Sequence, residues 1–295
     1  MSVFRASIEG EDLGYKNIRD GNHHMEVAAR ELCEELWPVF EPLADPHFIN
    51  QLQIDFNSRF WEMDLTCMLI RAGFQISCPK PGPDICIEEA DSKIWIEAIA
   101  PNLGTGLNEV PGYRMDSTIA QDVPEEEILL RYCSALSSKN DVYRSYIEKE
   151  IVRPGEAYIV AVNSCRIPFS RTDYDPPRIT RSLFPIGQEY VTLDGVSGKV
   201  VDSGFHFRGS IVNANNADVP TDNFINEKYR GVSAVLFSNT DCCNRPDQDG
   251  RDFVLVHNPN AINQIPEGFI KLGREYVAER ISEEEYTLRF NDYRS

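Results

Sequence analysis

Two carboxylates stand out for where they sit. Asp84 follows Gly82-Pro83 and opens the apolar run Ile85-Cys86-Ile87, while Glu97 lies inside Ile94-Trp95-Ile96-Glu97-Ala98-Ile99. A carboxylate among apolar residues is costly unless a cation or hydrogen-bond donors compensate it. If the two runs are neighbouring strands, both carboxylates converge on one point. A hard divalent cation, Mg²⁺ or Mn²⁺, is the natural partner for such a pair of oxygen ligands. The chemistry this allows is Lewis-acid polarisation of a bound oxygen and acidification of bound water.

The elements that must position this pair can be read from periodicity. Apolar residues from Met25 to about Leu43 fall at helical spacing, interrupted by Pro38. A second helix is expected from about His47 to Ala72, ended by Gly73 and apolar nearly all round, which marks it as buried. Three short extended segments follow, Phe74–Cys78, Asp84–Glu88 and Ile94–Ala100, separated by Pro/Gly-rich or polar turn chemistry. Pro124-Glu-Glu-Glu127 starts a long helix to about Glu150, and Ala157–Asn163 reads as a central buried strand. This order defines an α/β fold with a mixed sheet flanked by helices. Residues 164–295 read as a β-rich half packed on that core, the whole of 1–295 being one domain. It holds hairpin-like segments near Tyr190–Leu193 and Lys199–Phe207 and strands at Val232–Ser238 and Phe253–His257. A short helix is expected at Glu283–Phe290, and residues 1–24 read as an irregular lead-in.

Over residues 46–163 the chain resembles the PD-(D/E)XK nuclease superfamily. Pro83-Asp84 matches the PD element, Glu97-Ala98-Ile99 occupies the E-x-K, and the order helix, three-strand meander, helix, strand is the family's core. The resemblance implies a restriction-endonuclease-like core and metal-dependent hydrolysis of phosphodiester bonds, with DNA the expected substrate. It also implies Mg²⁺ or Mn²⁺ held by Asp84 and Glu97, with Glu62 on the first core helix adding a ligand. The departure is Ile99, which stands where the family carries lysine. Lys93 shares a strand face with Glu97, but four residues at about 3.3 Å each leave it roughly 13 Å away. In some members of the superfamily the lysine comes instead from the following helix. At 100° per residue Lys139 falls within about 20° of Ile128, in the middle of the stripe made by Ile128, Ala135, Val142 and Tyr146. Lys139 is therefore the expected catalytic ammonium beside Asp84 and Glu97. Arg131, at the edge of the same stripe, is a candidate substrate contact. Arg166, Arg171, Arg178 and Arg181 face only Asp173 and Asp175 in the same stretch and form the candidate phosphate-binding surface.

Composition narrows the alternatives. The 295 residues carry 42% hydrophobic and 26% charged side chains, an ordinary globular balance, with no apolar run of membrane-spanning length. Met1–Tyr15 has no hydrophobic segment of a secretory signal, and the eight cysteines form no metal-binding rhythm, so reduced thiols in a cytoplasmic protein are expected. No phosphate-binding or dinucleotide glycine motif and no nucleophile elbow is present. The net charge is −18, and it is uneven: −14 over residues 1–150 against −4 over 151–295. Acidity on this scale argues against nonspecific nucleic-acid binding. Together with Ile99 it favours the rival reading, a catalytically inactive descendant of the nuclease fold acting as a binding or scaffold module. A homodimer is compatible with either.

Overall fold

The structure is a computed structural model that describes residues 2–89, 92–114, 120–282 and 286–294. Helix formation follows local chemistry. Asp12 caps α1 (Leu13–Asp20) by accepting from the Tyr15 amide, and a His23/Glu26 capping box opens α2 (His24–Phe40). Pro38 falls in the last turn of α2, where the lost amide costs one bond, so the helix continues through it. The expected helix from His47 is two helices, α3 (Phe48–Ile54) and α4 (Phe56–Arg71), parted at Asp55, whose φ of −139° and ψ of 75° leave the helical region. The segment read as an irregular lead-in contains α1, which packs with α2 and α3 behind α4 through Tyr15, Ile18, Leu36, Phe48 and Phe56.

The strands β1 (Ile76–Ser77), β2 (Ile85–Glu88), β3 (Lys93–Ile99) and β4 (Ala157–Asn163) enter one sheet. So do β9 (Ala234–Ser238), β10 (Val254–His257), β11 (Arg274–Arg280) and β12 (Tyr286–Asp292) from the second half. Their order is β1-β2-β3-β4-β9-β10-β11-β12, with β3, β4 and β9 mutually parallel and most outer pairs antiparallel. The second half therefore extends the sheet of the first. Two further pairs stand apart from it, β5 (Ile186–Leu193) with β6 (Val200–Phe207) and β7 (Ser210–Val212) with β8 (Asp218–Pro220).

The helix expected over 283–290 is instead strand β12; residues 283–285 lie outside the described residues. Tyr286 and Leu288 alternate toward the core, a period of two that a helix cannot present on one side. Strand β11, to which β12 pairs over seven residues, was not anticipated.

Strand periodicity divides the core. Ile94 and Ile96 of β3, with Ile159 and Ala161 of β4, face α4 through Trp61, Leu65, Met68 and Leu69. Trp95 of β3, with Tyr158, Val160 and Val162 of β4, faces the long helix α5 (Glu125–Glu148) through Ile128, Tyr132 and Leu136. The side chain at 97 follows this alternation and points to α5. No helix among the described residues is long and apolar enough to cross a membrane.

Candidate active site

Strands β2 and β3 pair antiparallel with Ile85 opposite Ile96, so one step further in register places Asp84 opposite Glu97. Asp84 is fixed by accepting from the Ala98 amide at 2.8 Å. The turn before it needs Gly82, because a Cβ there would stand 2.8 Å from the Pro79 carbonyl oxygen. Glu97 is buried on the α5 side, and Lys139 reaches it from that helix, Nζ to Oε1 at 2.7 Å. Glu62, buried on α4, is held by Arg59 at 2.6 Å, and Asp84 has Lys80 at 3.8 Å. Each carboxylate thus has its own cation, and the outermost pair is the longest and the most exposed.

The electrostatics show that these cations do not compensate the charge fully. Burial, and then the charge of Asp84, push the Glu97 carboxyl up to about 7 against the pull of Lys139. Burial and Asp84 push Glu62 up to about 7 as well, against Arg59 and Lys80. Glu97 Oε2 is buried without a hydrogen-bond partner. A buried acceptor left open costs free energy, and a cation can offset that cost. The donor set is all carboxylate oxygen, which suits a hard divalent ion such as Mg²⁺ or Mn²⁺ and gives no preference to a soft one.

Several neighbours escaped the sequence reading. Tyr146, two turns after Lys139 on the same face of α5, donates its hydroxyl to the Gly82 carbonyl at 3.1 Å. Burial and then the charges of Glu97 and Asp84 raise its phenol above the ordinary value. Its position in the stripe was visible, but an apolar ring explained it equally well. Burial and then the charges of Glu62 and Asp84 push the Cys78 thiol up to about 12, so it is a protonated bystander. Lys80, four residues before Asp84, was hidden in the turn Pro79-Lys-Pro-Gly-Pro83. Lys93, set aside on distance, lies over the Trp95 ring, 5.5 Å from its centroid.

Two of the four arginines are not at the surface. Arg178 and Arg181 are buried, 1% and 3% exposed, and both pair with Glu125 at the start of α5, at 2.5 and 3.2 Å. Arg166 pairs with Asp55 at 2.7 Å and Arg171 with Asp241 at 2.9 Å. Local acidic residues were scarce, but each arginine has a distant acidic partner, so the stretch cross-links the molecule, with Arg178 and Arg181 sealed inside and Arg171 half exposed. Arg131 ties α5 to the loop after β3, donating to Asn102 O at 2.9 Å and to Asn102 Oδ1 at 3.2 Å.

Among the described residues one trio of metal-ligating side chains has its atoms within 4.8 Å of one another, Asp241, Cys242 and Cys243. Glu62, Asp84 and Glu97 stand farther apart than that. Asp241 is already committed, accepting from the Cys243 amide at 2.8 Å and from Arg171 at 2.9 Å. Both thiols are held protonated well above the ordinary range. The trio is a turn, and its chemistry is that of the turn. No family model, no curated protein and no solved structure matches this chain.

Proposed function

We propose that the protein is a divergent metal-dependent nuclease with a restriction-endonuclease-like core, cutting phosphodiester bonds in DNA. The observation that carries this reading is the 2.7 Å contact between Lys139 and Glu97. It places an ammonium beside the carboxylate that lacks its usual lysine two residues on, and brings it from the next helix. Glu97 and Asp84, with Glu62 behind them, would hold Mg²⁺ or Mn²⁺. When bound, such an ion supplies Lewis-acid polarisation and a more acidic water. The chain's own residues do the rest. The Ala98 amide fixes the Asp84 carboxylate, and Tyr146 braces the Gly82 carbonyl so that the turn presenting Asp84 keeps its shape. Lys139 would supply a positive charge on the side where negative charge grows on the phosphate oxygens, beside the largely buried Glu97.

The test is cleavage of supercoiled plasmid with Mg²⁺ or Mn²⁺, with and without chelator. Cleavage that needs the ion and is lost in Lys139→Met supports the reading. Its absence under both ions, with the fold intact, favours the second reading, a non-catalytic binding module. That second reading draws on a specific observation, a chain of net charge −18 whose clustered arginines are all spent on internal partners.

A further inference from the structure

The β5–β6 hairpin is the part of the molecule whose sequence and surroundings disagree most. Eight residues per strand at about 3.3 Å each make an arm roughly 26 Å long, and it belongs to no larger sheet. Its register pairs Val191 with Ser203 and Glu189 with Phe205. Those pairs put Val191, Phe205 and Phe207 on one face with Glu189 and Ser203 among them, and past a register shift at Thr192/Leu193 the face continues with the pair Leu193 and Val200. The opposite face is polar and self-covered, with Tyr190 lying over Gly204 and its ring tilted against that of His206 at 5.1 Å between centroids. The apolar residues of this face have no such cover: Val191 is 53% exposed, Leu193 57%, Val200 61% and Phe207 80%.

The arm is built to hold its shape. Asp194 Oδ1 accepts from the Val196 amide at 3.2 Å and from the Ser197 amide and hydroxyl at 2.6 Å each, closing the tip. A two-stranded ribbon alone is marginal in water and needs a partner on its apolar face. We propose that this partner is the same arm of a second copy, packed face to face across a two-fold axis. Two identical amphipathic ribbons supply each other's missing layer, as the two sheets of a sandwich do. The open face offers on the order of 300–500 Å² of apolar surface, the size of patch that marks an interaction site on a monomer. With its polar margin this approaches the ~800 Å² per partner of a stable interface. Charge excludes the other obvious occupant: Glu189, Asp194 and Asp202 outnumber Lys199 on the arm, the wrong sign for a phosphate backbone.

The experiment is sedimentation equilibrium on the full chain up to about 100 µM, at low and high salt. A dimer is expected, and it should tighten as salt rises, because salt screens the repulsion between two copies of charge −18. Leu193→Asp with Phe205→Asp should weaken the dimer at least about 100-fold. Thr192→Asp on the polar face is the control and should leave it unchanged. Circular dichroism and metal-dependent cleavage of the monomeric variant check that fold and site are intact. A parent protein that stays monomeric, or a dimer indifferent to the double variant, overturns the proposal. So does a monomer whose affinity for DNA falls when the arm is altered, since the occupant would then be nucleic acid.

Discussion

With burial and Asp84 pushing the Glu97 carboxyl up to about 7 and Lys139 pulling it back, protonation of this one group becomes a handle on the site. Glu62 is raised to about 7 for the same leading reason. A carboxyl whose value is higher in the folded than in the unfolded chain stabilises the fold fully below its ordinary 4.5. That stabilisation is lost as pH rises through about 7. In chelator, urea midpoints should therefore fall between pH 5.5 and 8.5. Mn²⁺ should restore the alkaline end more than the acid end, because only the ionised carboxylates bind it. Equal midpoints across that range would mean both groups are ionised throughout. Lys139→Met sharpens the test. Removing the ammonium leaves Glu97 unpaired, so the variant should lose stability at pH 8.5 and recover most of it at pH 5.5, where the carboxyl takes a proton. Cleavage should drop by about 10²–10³-fold, the usual cost of one charge-stabilising donor.

Helices and strands carry the next set of consequences. Arg178 joins α5 to the segment after β4 through Glu125, Asp173 and the carbonyls of Phe169 and Thr172. Arg178→Ala leaves those acceptors facing a void and should destabilise the protein by about 3–5 kcal/mol in chemical denaturation. The DNA affinity of the folded fraction should not change, as the guanidinium is sealed inside. The core order from α4 to β4 was legible because long periodic segments declare themselves: α4 is apolar all round, and β4 is an unbroken apolar run. Asp84, Glu97 and Lys139 were legible for a related reason, being charges at positions where the period demanded apolar residues. What stayed hidden lacked that contrast. The break at Asp55 is a single change of dihedral angles with no proline or glycine to mark it. Lys80 and Arg59 are ordinary surface types beside their partners in sequence. The arginines of 166–181 seemed unpaired because their partners lie 53 to 111 residues away.

At the scale of the molecule, the acidity and the internal use of arginine set how it can meet a polyanion. A chain of net charge −18 repels a polyanion as a whole, so affinity for duplex DNA, measured with Ca²⁺ in place of Mg²⁺, should rest on few phosphate contacts and depend weakly on salt. A logarithmic slope shallower than about −3 is expected, the signature of only a few phosphate contacts. A slope of −6 or steeper would point to a basic face elsewhere and would require a different docking geometry.

The parallel placement of β3 and β4 has a temporal side. Glu97 and Lys139 are 42 residues apart in the chain, and β4 must still fold beside β3 before α5 is held against the sheet. The second neighbour of β4 is β9, which ends only at Ser238. A chain emerging from the ribosome thus carries its carboxylates long before it can seat the ammonium between them and a finished sheet. Under the proposed nuclease reading, this order of arrival would leave a nascent chain without the ammonium beside its carboxylates until the sheet is complete.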